Sequence, residues 1–72
     1  MTISVSDRLG SKTTVSCYNT DTIKQLKEKI AKKLGARPEK IKLQKWNIVY
    51  QDHITIYDYD LSDGMNLEMY NY

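Results

Sequence analysis

Two side chains in this sequence could take part in catalysis or metal binding by their chemical type. Cys17 is the single cysteine of the 72 residues, and His53 is the single histidine. Structural zinc sites need several such ligands, and one thiol cannot form an internal disulfide bond. Asp52-His53 has no nucleophile beside it, and Cys17 alternates with Val15 as a small buried apolar residue would. We therefore expect no enzymatic activity, no cofactor and no metal site.

The length of the chain leads to the same expectation. Residues 1–72 suffice for a single domain, and a domain of this size buries only about 60% of the surface of its unfolded chain. An enclosed cofactor pocket would take up much of such a core. The sequence has no long apolar run and no signal peptide, so we expect a soluble protein of a reducing intracellular compartment, without a membrane partner.

Asp21 is the carboxylate with the clearest possible role, and its position allows two. It lies at the start of a predicted helix, where a negative charge is stabilised by the helix dipole. An exposed carboxylate at this place could also bind the guanidinium group of a partner arginine through two hydrogen bonds. The residues alone favour the structural role, and the two roles can coexist.

The basic residues are concentrated in one part of the sequence. Residues 1–46 carry all eleven lysines and arginines with four acidic residues, a net charge of +7, whereas residues 47–72 carry five acidic residues and a net charge of −5. Five lysines could form a nucleic-acid footprint: Lys24, Lys27, Lys40, Lys42 and Lys45. The base-stacking motif of an RNA-binding sheet is missing, so a solvated basic face is favoured and an RNA-associated subunit stays an alternative.

One helix is predicted in the middle of the chain. Apolar residues at spacings of three, four and four define one helical face: Ile23, Leu26, Ile30 and Leu34. Any residue of the segment 19–22 could cap the helix through a side-chain oxygen. Gly35 suits the position after the last turn, and Pro38 prevents continuation.

Short strands surround the helix. Alternating apolar residues before and after Gly10 predict a hairpin with its turn near residues 7–11. Three more strands follow at residues 40–45, 48–50 and 66–70, separated by a turn at Trp46-Asn47 and by a polar, irregular stretch over residues 52–63. The order β-β-α-β-β-β predicts an α+β protein, a β-grasp in which one central helix covers a mixed sheet.

The residues of this pattern resemble ubiquitin. Matching positions run without a gap across the chain, at Asp21-Thr22-Ile23, residues 31–35, Pro38, Asp58-Tyr59 and Leu67. Two positions depart from ubiquitin where it presents an apolar patch to its receptors. Gln44 stands in place of an isoleucine and Arg8 in place of a leucine, so we expect poor binding of ubiquitin receptors.

A closer resemblance is to the Hub family, homologous-to-ubiquitin modifiers also called ubiquitin-like protein five. The most specific matching segment runs from Asp63 to Glu68. Four other segments also match: residues 7–10, Lys45-Trp46, Asp52-His53 and Asp58-Tyr59.

This resemblance implies a monomeric protein of the nucleus and cytoplasm that binds pre-mRNA splicing factors noncovalently. Family members dock on short helical Hub-interaction elements of tri-snRNP proteins, with the surface on the helix and second-strand side. The family aspartate that pairs with an arginine of the element matches Asp21. Direct binding of nucleic acid is not implied. Tyr18 beside the helix start is a candidate contact, and Trp46 either covers the sheet edge or is an exposed anchor.

The last residues favour noncovalent action as well. Tyr70 and Tyr72 are bulky, and no glycine follows Gly64. Conjugation of a C-terminus to a target needs an unhindered tail, so we expect none here, although a covalently conjugated modifier stays an alternative. Hub family members end in two adjacent tyrosines and one further residue, whereas Asn71 separates the tyrosines in this chain.

Overall fold

A five-stranded mixed sheet and one helix make up the protein in a computed structural model, which describes residues 1–71. The strands are β1 (Thr2–Ser6), β2 (Lys12–Ser16), β3 (Ile41–Lys45), β4 (Ile48–Val49) and β5 (Asn66–Asn71). The helix α1 (Ile23–Leu34) follows β2, and a 3₁₀ helix (Pro38–Lys40) precedes β3. The element order β-β-α-β-β-β and the ubiquitin-like β-grasp are thereby confirmed.

The sheet order is β2-β1-β5-β3-β4, so the last strand of the chain is the central one. β5 runs parallel to β1 and antiparallel to β3. β2 lies at one edge of the sheet, and the short β4 lies at the other. Surfaces built on β2 and on the β3–β4 hairpin therefore lie at opposite edges of the sheet.

The helix begins and ends where the sequence predicts. Thr22 is the N-cap, and its hydroxyl accepts from the amide of Gln25 at 3.2 Å while the Gln25 side chain accepts from the amide of Thr22 at 2.8 Å. This reciprocal capping box satisfies two backbone donors. Gly35 ends the helix at φ 70°, in the left-handed region that glycine adopts without a steric cost.

The core lies between the helix and the sheet. Among the residues whose burial the structure describes, nine side chains are fully enclosed: Ile3, Val5, Ile23, Leu26, Ile30, Ile41, Leu43, Ile56 and Leu67. Cys17 is 3% exposed and belongs to the same cluster, as predicted. Leu34 was expected on the buried face but is 43% exposed, since it is the last residue of the helix and Ala31 completes the buried face instead.

The irregular stretch over residues 52–63 holds the start of the helix in place. The carbonyl of Ile54 accepts from the amide of Ile23, and the amide of Ile56 donates to the carbonyl of Asp21, both at 2.9 Å. Ile56 and Leu61 of this stretch are buried in the core and anchor it there. The backbone around Asp21 is therefore fixed from two sides.

Asp63 joins the turn before β5 to the first strand. Its Oδ1 accepts from the amide of Thr2 at 2.7 Å and from the Thr2 hydroxyl at 3.3 Å. The hydrogen bond from the Thr2 amide is the main cause that holds the pKa of Asp63 below its ordinary value. The hydrogen bond from the Thr2 hydroxyl, the charged N-terminus and the Gly64 amide act in the same direction, and burial opposes them. A carboxyl with a lowered folded-state pKa stabilises the folded state only while it is ionised.

We expect Asp63→Asn to reduce the acid sensitivity of the fold. The stabilisation from Asp63 is fully present above the pKa of an unfolded aspartate, about 3.9, and is lost as the pH falls through the lower folded-state value. Urea unfolding at pH 6, 4, 3 and 2 should show a smaller loss of unfolding free energy in Asp63→Asn than in the unsubstituted protein. Asp58→Asn, at an exposed aspartate of the preceding loop, is the control. Equal losses in the unsubstituted protein and Asp63→Asn would contradict this assignment.

Candidate partner-binding site

The connection from β2 to the helix is closed by hydrogen bonds between Tyr18 and Asp21. The amide of Asp21 donates to the carbonyl of Tyr18 at 2.9 Å. In return, the amide of Tyr18 donates to Oδ2 of Asp21 at 3.0 Å. Asp21 precedes the cap Thr22, so its side chain fixes the turn and does not cap the helix. The structure therefore gives Asp21 a structural role other than the predicted one: it closes the turn before the helix, while Thr22 caps the helix.

Lys29 completes this site from within the helix. Its Nζ lies 2.6 Å from Oδ2 of Asp21. Helical side chains lean toward the N-terminus of their helix, which lets a long lysine reach back across about two turns. The Asp21 side chain is 13% exposed and that of Lys29 is 38% exposed. The expectation of an exposed carboxylate at Asp21 is therefore wrong, because Lys29 of α1 covers it.

Opposing effects act on the ionisation of Asp21. Burial alone would raise the pKa of its carboxyl group. The hydrogen bonds from Lys29 and from the amide of Tyr18, together with the positive charge of Lys29, outweigh burial and hold the pKa below its ordinary value. The group is thus a carboxylate at neutral pH.

Tyr18 lies against the same lysine. The Nζ of Lys29 lies 5.5 Å from the centre of the Tyr18 ring, within the range of a cation–π contact. The Tyr18 side chain is otherwise open to solvent, at 72% exposure. The structure therefore brings the two predicted residues Asp21 and Tyr18 together and adds Lys29, which the sequence reasoning missed. No local signal identifies Lys29, because packing decides which face of the helix turns toward β2.

A second lysine extends the positive charge along β2. Lys33, one turn after Lys29, donates from Nζ to the backbone carbonyl of Thr14. Because β2 is an edge strand, some of its backbone groups point away from the sheet, and a lysine there discourages pairing with another strand. We call Tyr18, Asp21, Lys29, Lys33 and Thr14 the helix–β2 surface.

Trp46 lies near the edge of the sheet opposite β2 and does not join this surface. It occupies the two-residue turn between β3 and β4, where Trp46 has φ 55° and Asn47 has φ 64°. Two positive φ values suit the right-handed twist of a hairpin. Its side chain is 76% exposed, and the Lys45 Nζ lies 5.5 Å from the ring centre. The ring therefore does not cover the sheet edge, and the exposed-anchor interpretation is the one that its geometry allows.

Tyr70 is a strand residue, held inside the sheet. It pairs with Lys42 across β5 and β3, and its hydroxyl donates to Oε1 of Glu68 at 3.2 Å. Tyr72, the other C-terminal residue singled out from the sequence, lies outside the described residues.

Gln44 donates from Nε2 to the same Glu68 oxygen, at 3.2 Å. At Gln44 the sheet therefore carries a hydrogen-bonded polar side chain, where the resemblance places an isoleucine of ubiquitin's apolar patch. We expect that a ubiquitin-binding domain that docks on that apolar patch leaves the amide resonances around Gln44 unshifted, while it shifts those of ubiquitin in a parallel titration. Dose-dependent shifts at Gln44 would contradict this prediction.

The chemistry of the remaining candidate residues is limited by their surroundings. Burial raises the pKa of the Cys17 thiol, which disfavours the reactive thiolate. Within residues 1–71, no group of three or more histidine, cysteine, aspartate or glutamate side chains is placed to hold a metal ion. In the same residues, no helix is long and apolar enough to cross a membrane.

Comparison with known proteins relates the whole described chain to one family. The family model described as the ubiquitin family matches residues 1–71. The chain is 48% identical to the ubiquitin-like modifier HUB1 of Candida glabrata over 66 residues, covering 92% of this chain and 90% of that protein. It is 48% identical to ubiquitin-like protein 5 of Drosophila melanogaster over 68 residues, covering 94% and 93%. It is 46% identical to hub1 of Schizosaccharomyces pombe over 65 residues, covering 90% and 89%.

The matched residues cover about nine-tenths of this chain and of each relative, and all three relatives are ubiquitin-like proteins. The chain belongs to the ubiquitin family and, within it, to the ubiquitin-like modifiers that include Hub1 and ubiquitin-like protein 5.

Proposed function

We propose that this protein is a noncovalent ubiquitin-like modifier of pre-mRNA splicing factors, which it binds by docking their helical Hub-interaction elements on the helix–β2 surface. Asp21 is the residue that pairs with the arginine of the element. The proposal also takes the protein to act as a monomer in the nucleus and cytoplasm. The partners follow from the family resemblance, and the geometry around Asp21 supplies the physical support.

The observation that carries the proposal is the rigid placement of the Asp21 carboxylate. Both side-chain hydrogen bonds that it accepts within residues 1–71 involve Oδ2, from Tyr18 and Lys29. Oδ1 is therefore the oxygen that can accept from an incoming guanidinium group. A carboxylate that is already oriented loses little conformational entropy on binding, which favours a specific ion pair.

The rest of the helix–β2 surface suits a helical partner. Tyr18 offers an exposed aromatic ring next to the carboxylate, and aromatic residues are frequent at the energetic centre of protein interfaces. A helix that lies along α1 and β2 could place an apolar residue on this ring and its arginine on Asp21.

A pull-down from native cell extract tests this function. The baits are the unsubstituted protein and Asp21→Ala, each with and without ribonuclease treatment. Capture of a defined set of splicing proteins that is resistant to ribonuclease and lost with Asp21→Ala supports the proposal. Capture that is sensitive to ribonuclease and independent of Asp21 would indicate an RNA-associated subunit instead.

A separate measurement tests covalent conjugation. Mass spectrometry of the protein recovered from cells would detect adducts attached through its C-terminus. Adducts of that kind would favour a covalent modifier over noncovalent docking.

A further inference from the structure

The carboxylate proposed to bind an arginine already has a cation beside it. Lys29 Nζ lies 2.6 Å from Oδ2 of Asp21, so the pair carries no net charge. An incoming guanidinium group that approaches Oδ1 meets the positive charge of Lys29 a few ångströms away. The attraction to Asp21 is thereby largely offset by repulsion from Lys29.

The surrounding charges strengthen this effect. Lys33 lies one turn further along the helix, with its Nζ on the carbonyl of Thr14. Of the five residues that define the helix–β2 surface, Asp21 is acidic, and Lys29 and Lys33 are basic. The surface is therefore positive along the helix and negative only at its start.

We propose that Lys29 sets the specificity of the helix–β2 surface by favouring partners that carry a carboxylate in addition to the arginine. The arginine binds Oδ1 of Asp21, and the partner carboxylate binds Nζ of Lys29. The four groups then alternate in charge, so each positive group has a negative group beside it. This inference rests on the proposed function, because it describes the partner of the same site.

The short distance between Asp21 and Lys29 limits the spacing of the partner residues. The two groups that meet this pair must themselves be neighbours on the partner surface. On a helix, neighbouring side chains are three or four residues apart. The ligand is therefore an amphipathic helix that carries an arginine and a glutamate or aspartate one turn away.

The probes are synthetic Hub-interaction peptides that contain the arginine. They carry glutamate three or four residues before the arginine, or three or four residues after it, and each has a matched peptide with glutamine at that position. Fluorescence anisotropy measures their affinity for the unsubstituted protein, for Lys29→Met and for Lys24→Met. Lys24 is an exposed lysine of the first helical turn and serves as the matched control.

We expect one glutamate peptide to bind the unsubstituted protein about two- to fivefold more tightly than its glutamine counterpart, as for a partly exposed ion pair. Lys29→Met should remove this difference and should bind the glutamine peptide more tightly than the unsubstituted protein does. Lys24→Met should behave like the unsubstituted protein.

Equal binding of all glutamate and glutamine peptides to the unsubstituted protein overturns the role of Lys29 while the proposed function stands. A glutamate preference that persists in Lys29→Met also overturns it, since another cation must then bind the carboxylate. Absence of binding by every peptide to both the unsubstituted protein and Lys29→Met contradicts the proposed function itself, and with it this inference.

Discussion

Replacing Asp21 by alanine is expected to weaken the binding of an arginine-containing Hub-interaction peptide by about 2 kcal/mol or more, which is roughly a 30-fold rise in Kd. The substitution removes the acceptor for the arginine and leaves the positive charge of Lys29 beside the binding position. Isothermal titration calorimetry of the two proteins with the same peptide measures the difference. Unchanged affinity would show that Asp21 is not the arginine contact.

The fold should survive this substitution. The capping box of Thr22 and Gln25 starts the helix without help from Asp21. Asp21→Ala does leave the amide of Tyr18 without its side-chain acceptor, at a cost of about 1 kcal/mol of unfolding free energy. Circular dichroism at the titration temperature should therefore show the same folded spectrum for both proteins.

Asp21→Asn separates charge from turn geometry. Its amide oxygen can still accept from the amide of Tyr18, but the negative charge is lost. We expect Asp21→Asn to bind the peptide nearly as weakly as Asp21→Ala, since the guanidinium group is recognised through charge. Binding by Asp21→Asn at the level of the unsubstituted protein would show that Asp21 acts through the turn and not through an ion pair.

Leu67→Ala is expected to lower the unfolding free energy by about 3 kcal/mol, within the range measured for leucine-to-alanine changes in protein cores. Leu67 is 0% exposed and lies in the central strand β5, opposite Val5 of β1. Its truncation leaves a cavity in the strand that joins the parallel pairing with β1 to the antiparallel pairing with β3. Small domains have only about 5–15 kcal/mol of stability in total, so the loss is a large fraction.

Leu9→Ala is the matched control for this prediction. The chemical change is the same, but Leu9 is 92% exposed in the loop after β1. Its effect should lie within about 0.5 kcal/mol, as for most surface substitutions. Urea unfolding followed by circular dichroism measures all three proteins. A similar loss in Leu9→Ala and Leu67→Ala would contradict the assignment of Leu67 to the core.

Features that depend on neighbouring residues were predictable from the sequence. The bounds of the helix follow from its apolar spacing, from a capping residue in the segment 19–22 and from Gly35. The turn at Trp46-Asn47 was likewise visible as a break between two strands, and the last strand as an alternating pattern that begins after Gly64. These signals act over a few residues, so no knowledge of the packing is needed to interpret them.

The order of the strands and the state of the candidate site were decided by the tertiary structure. Leu67 pairs with Val5 across 61 intervening residues, and no local pattern specifies that the last strand enters the centre of the sheet. Asp21 was identifiable as a helix-start carboxylate, and the family resemblance pointed to its contact with an arginine. Whether that carboxylate is free depends on which lysine the helix turns toward it.

The sequence by itself determined the class of fold and the positions of the elements, because local spacing and capping follow from adjacent residues, and it indicated Asp21 as a candidate contact. Only the tertiary structure showed that Lys29 and Tyr18 both bond to Asp21 and that Trp46 lies near the opposite edge of the sheet. The physical reason is that ion pairs and exposed surfaces depend on how elements pack in space, and packing combines residues that are distant in the chain.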